Sequence, residues 1–238
     1  MKSQLKIRRA IAVIVVLILA VYGVSTSEEF VETKAEPVVA ESKPSDELSP
    51  LALNTLDELE TKGRAPKTGY SRDHFGGEWG QIDGCDLRNV ILQRDMIDVK
   101  IDEYCKVVSG KLIDSYTGNT ILFTRGAESS QSVQIDHVVA ISNAWQTGAQ
   151  QLDYLSRVAL YNDPLELIAV DGNANNEKGD GDAATWLPPN KPFRCQYVAR
   201  QIAVKKKYSL WVTPAEKSAM QAVLSKCPGQ RLPVGALN

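Results

Sequence analysis

The stretch VQIDHVVAISNAW, from Val133 to Trp145, places an acid and a histidine side by side within an apolar run. The chain has only two histidines, His74 and His137, so the position of this one calls for an explanation. A short run rich in Val and Ile predicts a buried β-strand. Neighbouring side chains on a strand point to opposite faces, so one of Asp136 and His137 faces a site while the other holds it, or a bulge turns both inward. An isolated pair of this kind is also compatible with a buried polar pair that is satisfied by local hydrogen bonds.

Further polar positions follow the Asp-His pair in a defined order. Asn162 stands just before the run PLELIAV, which predicts a second short strand. Asn175 and Lys178 follow in a polar segment with N-x-x-K spacing, which on a helix would place both on one face. The order is a strand with Asp-His, an Asn before the next strand, and then an Asn with a Lys.

This order resembles the ββα-metal site of the HNH endonuclease superfamily. The stretch IDHVVAISNAW together with NDPLELIAVDGNANNEKGDGDAATWLPPN is similar to exported bacterial HNH-family proteins of the DUF1524 type. The resemblance extends over roughly residues 69–227 and includes GYSRDHFG, GCDLRNVILQRD and FRCQYVARQIAVK. It implies an exported metal-dependent endonuclease that hydrolyses phosphodiester bonds in DNA, with RNA as a further substrate.

The resemblance also implies a role for each matching residue. His137 would be the general base that takes a proton from the attacking water, for which an imidazole with a pKa near neutrality is suited. Asp136 and Asn175 would hold a single divalent cation, and their oxygen ligands favour Mg²⁺ or Mn²⁺. Asn162 would orient the imidazole. Residues 173 and 176 are also Asn, so the metal position could shift within this cluster.

Two basic residues are candidates for contact with the substrate. Arg88, in CDLRN, could bind a phosphate in a bidentate manner, or it could pair with Asp86 or another acid. Lys178 could contact the substrate or cap a helix end. His74 lies in a Gly-rich loop and is expected to be a surface residue.

The N-terminus predicts export. A basic start, MKSQLKIRR, precedes an apolar run of about fifteen residues, which suits a signal peptide and is short for a membrane span of about 20 residues. We therefore predict a signal peptide or, alternatively, an uncleaved anchor in residues 1–26. Residues 27–50, rich in Glu, Pro and Ser, predict a disordered linker, and residues 51–238 predict one HNH-like nuclease domain of a secreted or extracellular protein.

The charge of the chain limits its binding partners. The formal net charge of the chain is −2, so its net charge gives no indication of a broad basic surface for nucleic acid. Phosphate binding would then depend on a local patch or on the cation. We expect a monomer whose partner is its nucleic-acid substrate, and which contacts a membrane only through the N-terminal segment if that segment is retained.

Four cysteines in an exported chain predict two disulfides. Three pairings are possible, and proximity in the sequence favours Cys85–Cys105 and Cys195–Cys227. The spacing does not match a zinc ribbon.

The remaining pattern predicts an α+β fold in which the ββα-metal core is extended by extra helices and a β-hairpin. The hairpin is predicted around SYTGN, and a capping box is predicted at Thr213 and Glu216 with Pro214 at the first helical position. Ser142 or Asn143 is predicted to cap a short helix. The Lys205–Lys207 run is predicted to be the solvated end of a helix.

Two other functions remain open at this stage. The scaffold could be an exported or surface-tethered binding domain without catalytic activity. A hydrolase with a Ser or Cys nucleophile is less well supported, because the chain has no G-x-S-x-G motif and its cysteines are expected to be paired.

Overall fold

The computed structural model describes residues 49–126 and 131–233. The predicted signal or anchor segment 1–26 and nearly all of the predicted linker 27–50 lie outside these ranges. Within them, no helix is both long enough and apolar enough to cross a membrane.

Helices and strands are mixed along the chain, which confirms the α+β class. The helices are α1 Ala52–Glu58, α2 Leu87–Asp95, α3 Ile141–Gln146, α4 Tyr154–Tyr161, α5 Gly172–Lys178, α6 Arg194–Lys207 and α7 Pro214–Leu224. The strands are β1 Gln81–Ile82, β2 Cys85–Asp86, β3 Met96–Ile101, β4 Val107–Ile113, β5 Thr120–Thr124, β6 Val133–His137 and β7 Leu167–Asp171. Short 3₁₀ turns lie at Arg72–Phe75, Ala149–Gln151 and Lys191–Phe193.

The two-stranded sheet β6–β7 lies between two hydrophobic cores. The strands are antiparallel, with Asp136 opposite Ile168 and His137 opposite Leu167. Ile168 and Val170 pack into the larger core, to which α1, α3, α4, α6 and α7 contribute. Leu167 and Ala169 pack into the smaller core against α2 and the three-stranded sheet β3–β4–β5. Burial on both faces explains why β7 reads as a continuous apolar run without alternation.

The segment CDLRNVILQRDMIDVKID mixes helical and strand periods because it forms one helix and one strand. Asp86 caps α2 by accepting a hydrogen bond from the backbone N–H of Asn89 at 3.3 Å. The helix ends at Asp95, and β3 begins directly after it. β3 pairs with β4, which forms the predicted hairpin with β5.

Both disulfides have the pairing that proximity in the sequence favours. Cys85–Cys105 joins β2 to the turn after β3, and Cys195–Cys227 joins the start of α6 to the segment after α7. Cys195 and Cys227 pack against the larger hydrophobic core.

Several local predictions are confirmed or corrected. The capping box at Thr213 and Glu216 is present in α7. The N-cap of α3 is Ala140, so the predicted caps Ser142 and Asn143 are wrong; both lie inside the helix, and the Ser142 hydroxyl bonds Asp180 at 3.1 Å. The Lys205–Lys207 prediction is wrong for Lys205, whose side chain is fully buried because an acid from α7 faces it.

Candidate functional site

The end of β6 brings Asp136 and His137 to one pocket of about 390 Å³. Its lining also includes Tyr70, Arg72, Gln134, Ser142, Asn175, Asn176 and Asp180. Because His137 is the last residue of the strand, the chain is free to turn after it, and both members of the pair reach the pocket. Their regular pairing with Ile168 and Leu167 contains no bulge, so the two side chains leave the strand on opposite faces, and the alternative with a bulge does not apply here.

The imidazole of His137 is held in one orientation and one tautomer. Its Nε2 lies 2.9 Å from the backbone oxygen of Tyr161, and the ring stacks on Trp79 with centroids 5.6 Å apart. A carbonyl oxygen only accepts hydrogen bonds, so Nε2 carries the proton and Nδ1 carries the lone pair. This is the state in which an imidazole can accept a proton.

Burial keeps this imidazole neutral. Desolvation lowers the pKa of His137 to about 3, although the hydrogen bond to the Tyr161 carbonyl acts in the opposite direction. The charges of Arg72 and Lys178 lower the pKa further. The near-neutral pKa expected for a general base is therefore not found: the imidazole stays neutral down to low pH, but it accepts a proton less readily than a free histidine does.

Asn162 supports the imidazole indirectly. Its Oδ1 accepts a hydrogen bond from the backbone N–H of Gly80 at 2.7 Å, and its Nδ2 donates to the carbonyl of Val158 at 3.1 Å. It thus joins the end of α4, which presents the Tyr161 carbonyl, to the segment that carries Trp79. The side-chain hydrogen bonds of Asn162 go to neighbours of these two groups and not to the ring, so its orienting role stays a prediction.

Glu166 constrains the turn directly after His137. Its side chain accepts a hydrogen bond from the backbone N–H of Val139 at 3.2 Å, and its backbone oxygen accepts one from Val138 at 2.9 Å. Burial raises the pKa of this carboxyl group well above its ordinary value, which favours the neutral form. The sequence alone gave no signal for this residue, because its partners lie 27 positions away.

Asp136 is buried and has two strong partners. Lys178 donates to its Oδ1 at 2.9 Å, and the hydroxyl of Tyr116 donates a short hydrogen bond to its Oδ2. The same lysine donates to the backbone oxygen of His137 at 2.8 Å. Lys178, predicted as a substrate contact or a helix cap, has a fully buried side chain and is absent from the lining of this pocket.

Helix α5 determines which asparagine of the cluster reaches the site. Asn175 and Asn176 line the pocket, whereas Asn173 is exposed elsewhere on the helix. The Nδ2 of Asn175 donates to Gln134 Oε1 at 2.8 Å, which orients the amide and leaves its Oδ1 without a hydrogen bond to any described residue. The amide of Asn175 is therefore oriented by Gln134, which lies two residues before Asp136 in β6.

These oxygen atoms fit a hard divalent cation bound through few protein ligands. A carboxylate oxygen has more than one lone pair, so Asp136 can accept a metal beside its present donors. Asn175 would add an amide oxygen, and Mg²⁺ commonly uses one or two protein ligands with water and phosphate completing the shell. No group of three or more His, Cys, Asp or Glu able to hold a metal occurs in residues 49–126 and 131–233.

Arg72 is the arginine that the structure brings to the pocket. Its Nε donates to the Tyr161 hydroxyl at 3.2 Å, and its guanidinium lies 5.4 Å from the Tyr161 ring centroid. Arg88, by contrast, donates to the backbone oxygen of Val133 at 3.0 Å, at the start of β6. The sequence signal for Arg72 was its place in SRDHFGG, two residues before His74, which stacks on Trp145 outside the pocket lining.

Comparisons with known proteins agree with a nuclease scaffold. The family described as GmrSD restriction endonucleases, C-terminal domain, matches residues 86–223. An uncharacterised secreted protein of the fungus Arthroderma benhamiae is 37% identical over 196 residues, which cover 81% of this chain and 93% of the fungal protein. No solved structure matches the chain. A bacterial origin and the DUF1524 type stay predictions.

Proposed function

Since the chain belongs to the family of GmrSD restriction endonuclease C-terminal domains, we propose that it is an exported, metal-dependent endonuclease that hydrolyses phosphodiester bonds in DNA. One observation carries the proposal. His137 is held neutral, with Nδ1 unprotonated, next to an acid that lines the same pocket. That combination supplies a base and a cation ligand within reach of one phosphate.

In the proposed reaction, His137 Nδ1 takes the proton from a water molecule as its oxygen attacks the phosphorus. Asp136 and Asn175 would hold the cation, which supplies positive charge against the charge that develops on the phosphate and the leaving oxygen. Arg72 can donate its remaining guanidinium N–H groups to a phosphate oxygen, because Nε alone is used by Tyr161. The strand order β6–β7 followed by α5 supports an HNH-like core.

Export of the chain is part of the proposal. The basic and apolar N-terminal segment, the two disulfides and the fungal relative described as secreted all support it. Disulfides persist in oxidising environments and are rare in the cytosol.

A second function, binding without catalysis, is favoured by one observation. Lys178 already pairs with the carboxylate that would hold the metal. A single experiment separates the two functions, because only an enzyme nicks supercoiled plasmid in Mg²⁺ or Mn²⁺ and stops when the cation is chelated. Protein that binds plasmid but never nicks it under a panel of divalent ions would support binding alone.

A further inference from the structure

Lys178 occupies an unusual position for a lysine. It is the last residue of α5, and its side chain is completely buried. Its ammonium group contacts the Asp136 carboxylate at 2.9 Å and the His137 backbone oxygen at 2.8 Å. One side chain therefore connects the proposed metal ligand to the backbone of the proposed base.

We propose that Lys178 is a resident counter-ion of Asp136: it holds the carboxylate in place in the metal-free protein and weakens the binding of divalent cations there. The proposal rests on the proposed function and gives Lys178 a positioning role through Asp136. It replaces the predicted contact with substrate, which the burial of the side chain does not favour.

The first argument concerns the cost of a buried charge. Asp136 is only 6% exposed, and a buried carboxylate without a partner is strongly unfavourable. Lys178 and Tyr116 provide that partner, so the site is assembled before any cation arrives. In zinc fingers and many other small metal-binding domains the ion itself performs this task, and the domain is unfolded without it.

The second argument concerns the charge after a cation binds. A divalent ion on Asp136 would share one carboxylate with the Lys178 ammonium, and the two positive charges repel each other at short range. The phosphate of a nucleic acid would offset the excess positive charge. The protein is therefore expected to bind Mn²⁺ weakly alone and more tightly when a phosphodiester occupies the pocket.

The test uses two variants that each break a buried lysine–acid pair. Lys178→Met leaves Asp136 without its ammonium partner, at the pocket. Lys205→Met leaves Glu216 without its partner, and neither Lys205 nor Glu216 lines the pocket. Mn²⁺ affinity is measured by titration calorimetry, and thermal unfolding is followed in chelator and in Mn²⁺ for the whole exported protein.

Mn²⁺ should bind Lys178→Met at least about tenfold more tightly than the parent, because the repulsion is gone while the acid remains. Mn²⁺ should also raise the unfolding temperature of this variant more than that of the parent. The Lys205→Met variant should show the parent's affinity and the parent's response to Mn²⁺. Equal or weaker Mn²⁺ binding by Lys178→Met overturns the proposal.

If Lys178→Met does not fold in chelator, refolding with and without Mn²⁺ decides the question. Recovery in Mn²⁺ alone supports the proposal, and failure in both conditions overturns it, since the ion then does not replace the ammonium. The double variant Asp136→Asn/Lys178→Met, which has no unpaired charge, should fold in chelator and should not respond to Mn²⁺. A parent that never nicks plasmid would refute the proposed function, while an unchanged affinity in Lys178→Met would refute only the role of Lys178.

Discussion

Lys205 and Lys178 are both fully buried beside an acid, but the two pairs have different surroundings. Lys205 contacts both carboxylate oxygens of Glu216, at 3.0 and 3.2 Å, and also donates to the Trp211 backbone oxygen at 3.0 Å. Glu216 in addition accepts the Thr213 backbone N–H and completes the capping box of α7. Lys205 also donates to Asn143 of α3 and to Thr147, so protein groups surround this pair.

The pair formed by Lys178 and Asp136 is open on one side. Asp136 lines a pocket together with His137 and the oriented amide of Asn175. Burial of an ion pair alone therefore does not mark a functional site. The two pairs differ in their access to a ligand. Asp136 lines the pocket next to the proposed base His137, whereas Glu216 does not line the pocket.

The largest expected effect concerns His137, the proposed base, which lies next to the Lys178–Asp136 pair. The Lys205–Glu216 pair has no such neighbour in the pocket. General-base catalysis typically contributes about 10² to 10⁴-fold in rate, so His137→Ala should lower the nicking rate by that order. Cation binding should be retained, because the imidazole is not proposed as a ligand. His74→Ala is the matched control and should nick like the parent. A His137→Ala rate within about threefold of the parent's would make this histidine structural.

Removing the acid should lower the stability of both pairs but should abolish cation binding in only one of them. Asp136→Ala and Glu216→Ala each leave a buried lysine unpaired, which typically costs about 3–5 kcal/mol of unfolding free energy. Denaturant unfolding in chelator measures that loss for both variants. Only Asp136→Ala should also lose Mn²⁺ binding in calorimetry. Equal Mn²⁺ affinity in the two variants would refute Asp136 as the ligand.

The sequence predicted the parts of this comparison that depend on local pattern. The strand with Asp136 and His137 follows from its apolar run, and the cap at Thr213 follows from the T-x-x-E spacing. The burial of Lys205 was missed because a run of three lysines is typical of a solvated helix end. Its partner Glu216 comes from the next helix, and no local pattern reports that contact.

In the pocket, too, the contacts between residues far apart in the sequence were not predicted. The resemblance to the HNH superfamily implied that Asp136, His137 and Asn175 belong to one site, and all three line the pocket. It did not predict Tyr116 or Arg72, which reach the site from 20 and 64 positions before Asp136. Contacts over such separations are determined by the packing of elements, and a single sequence carries no direct record of them.

A smaller effect is expected from the residue that supports the imidazole. Asn162→Ala removes the link between the end of α4 and Gly80, so the Tyr161 carbonyl and Trp79 should hold the ring less firmly. Losses of about 10- to 100-fold are typical for such supporting contacts around metal sites, and we expect the lower end for nicking. Asn173→Ala, on the exposed face of α5, is the control. Unchanged nicking by Asn162→Ala would show that the ring needs no support from α4.

The last expected effect is the pH dependence of stability that the His137 imidazole causes in chelator. The pKa of His137 is lowered to about 3 in the folded protein, against about 6.5 in an unfolded chain. Below pH 6.5 the imidazole is therefore protonated in the unfolded chain but stays neutral in the folded protein. The free energy of unfolding consequently falls as the pH falls towards 3. The loss approaches about 1.4 kcal/mol per pH unit for one such group, and it is absent above pH 6.5.

The variant His137→Gln has no imidazole to titrate at this position. Its free energy of unfolding should therefore fall less steeply than the parent's between pH 6.5 and 4.5 in denaturant titrations. Parallel curves for the parent and His137→Gln would mean that the imidazole is not kept neutral by burial, and the proton acceptor proposed for the pocket would then lack its physical basis.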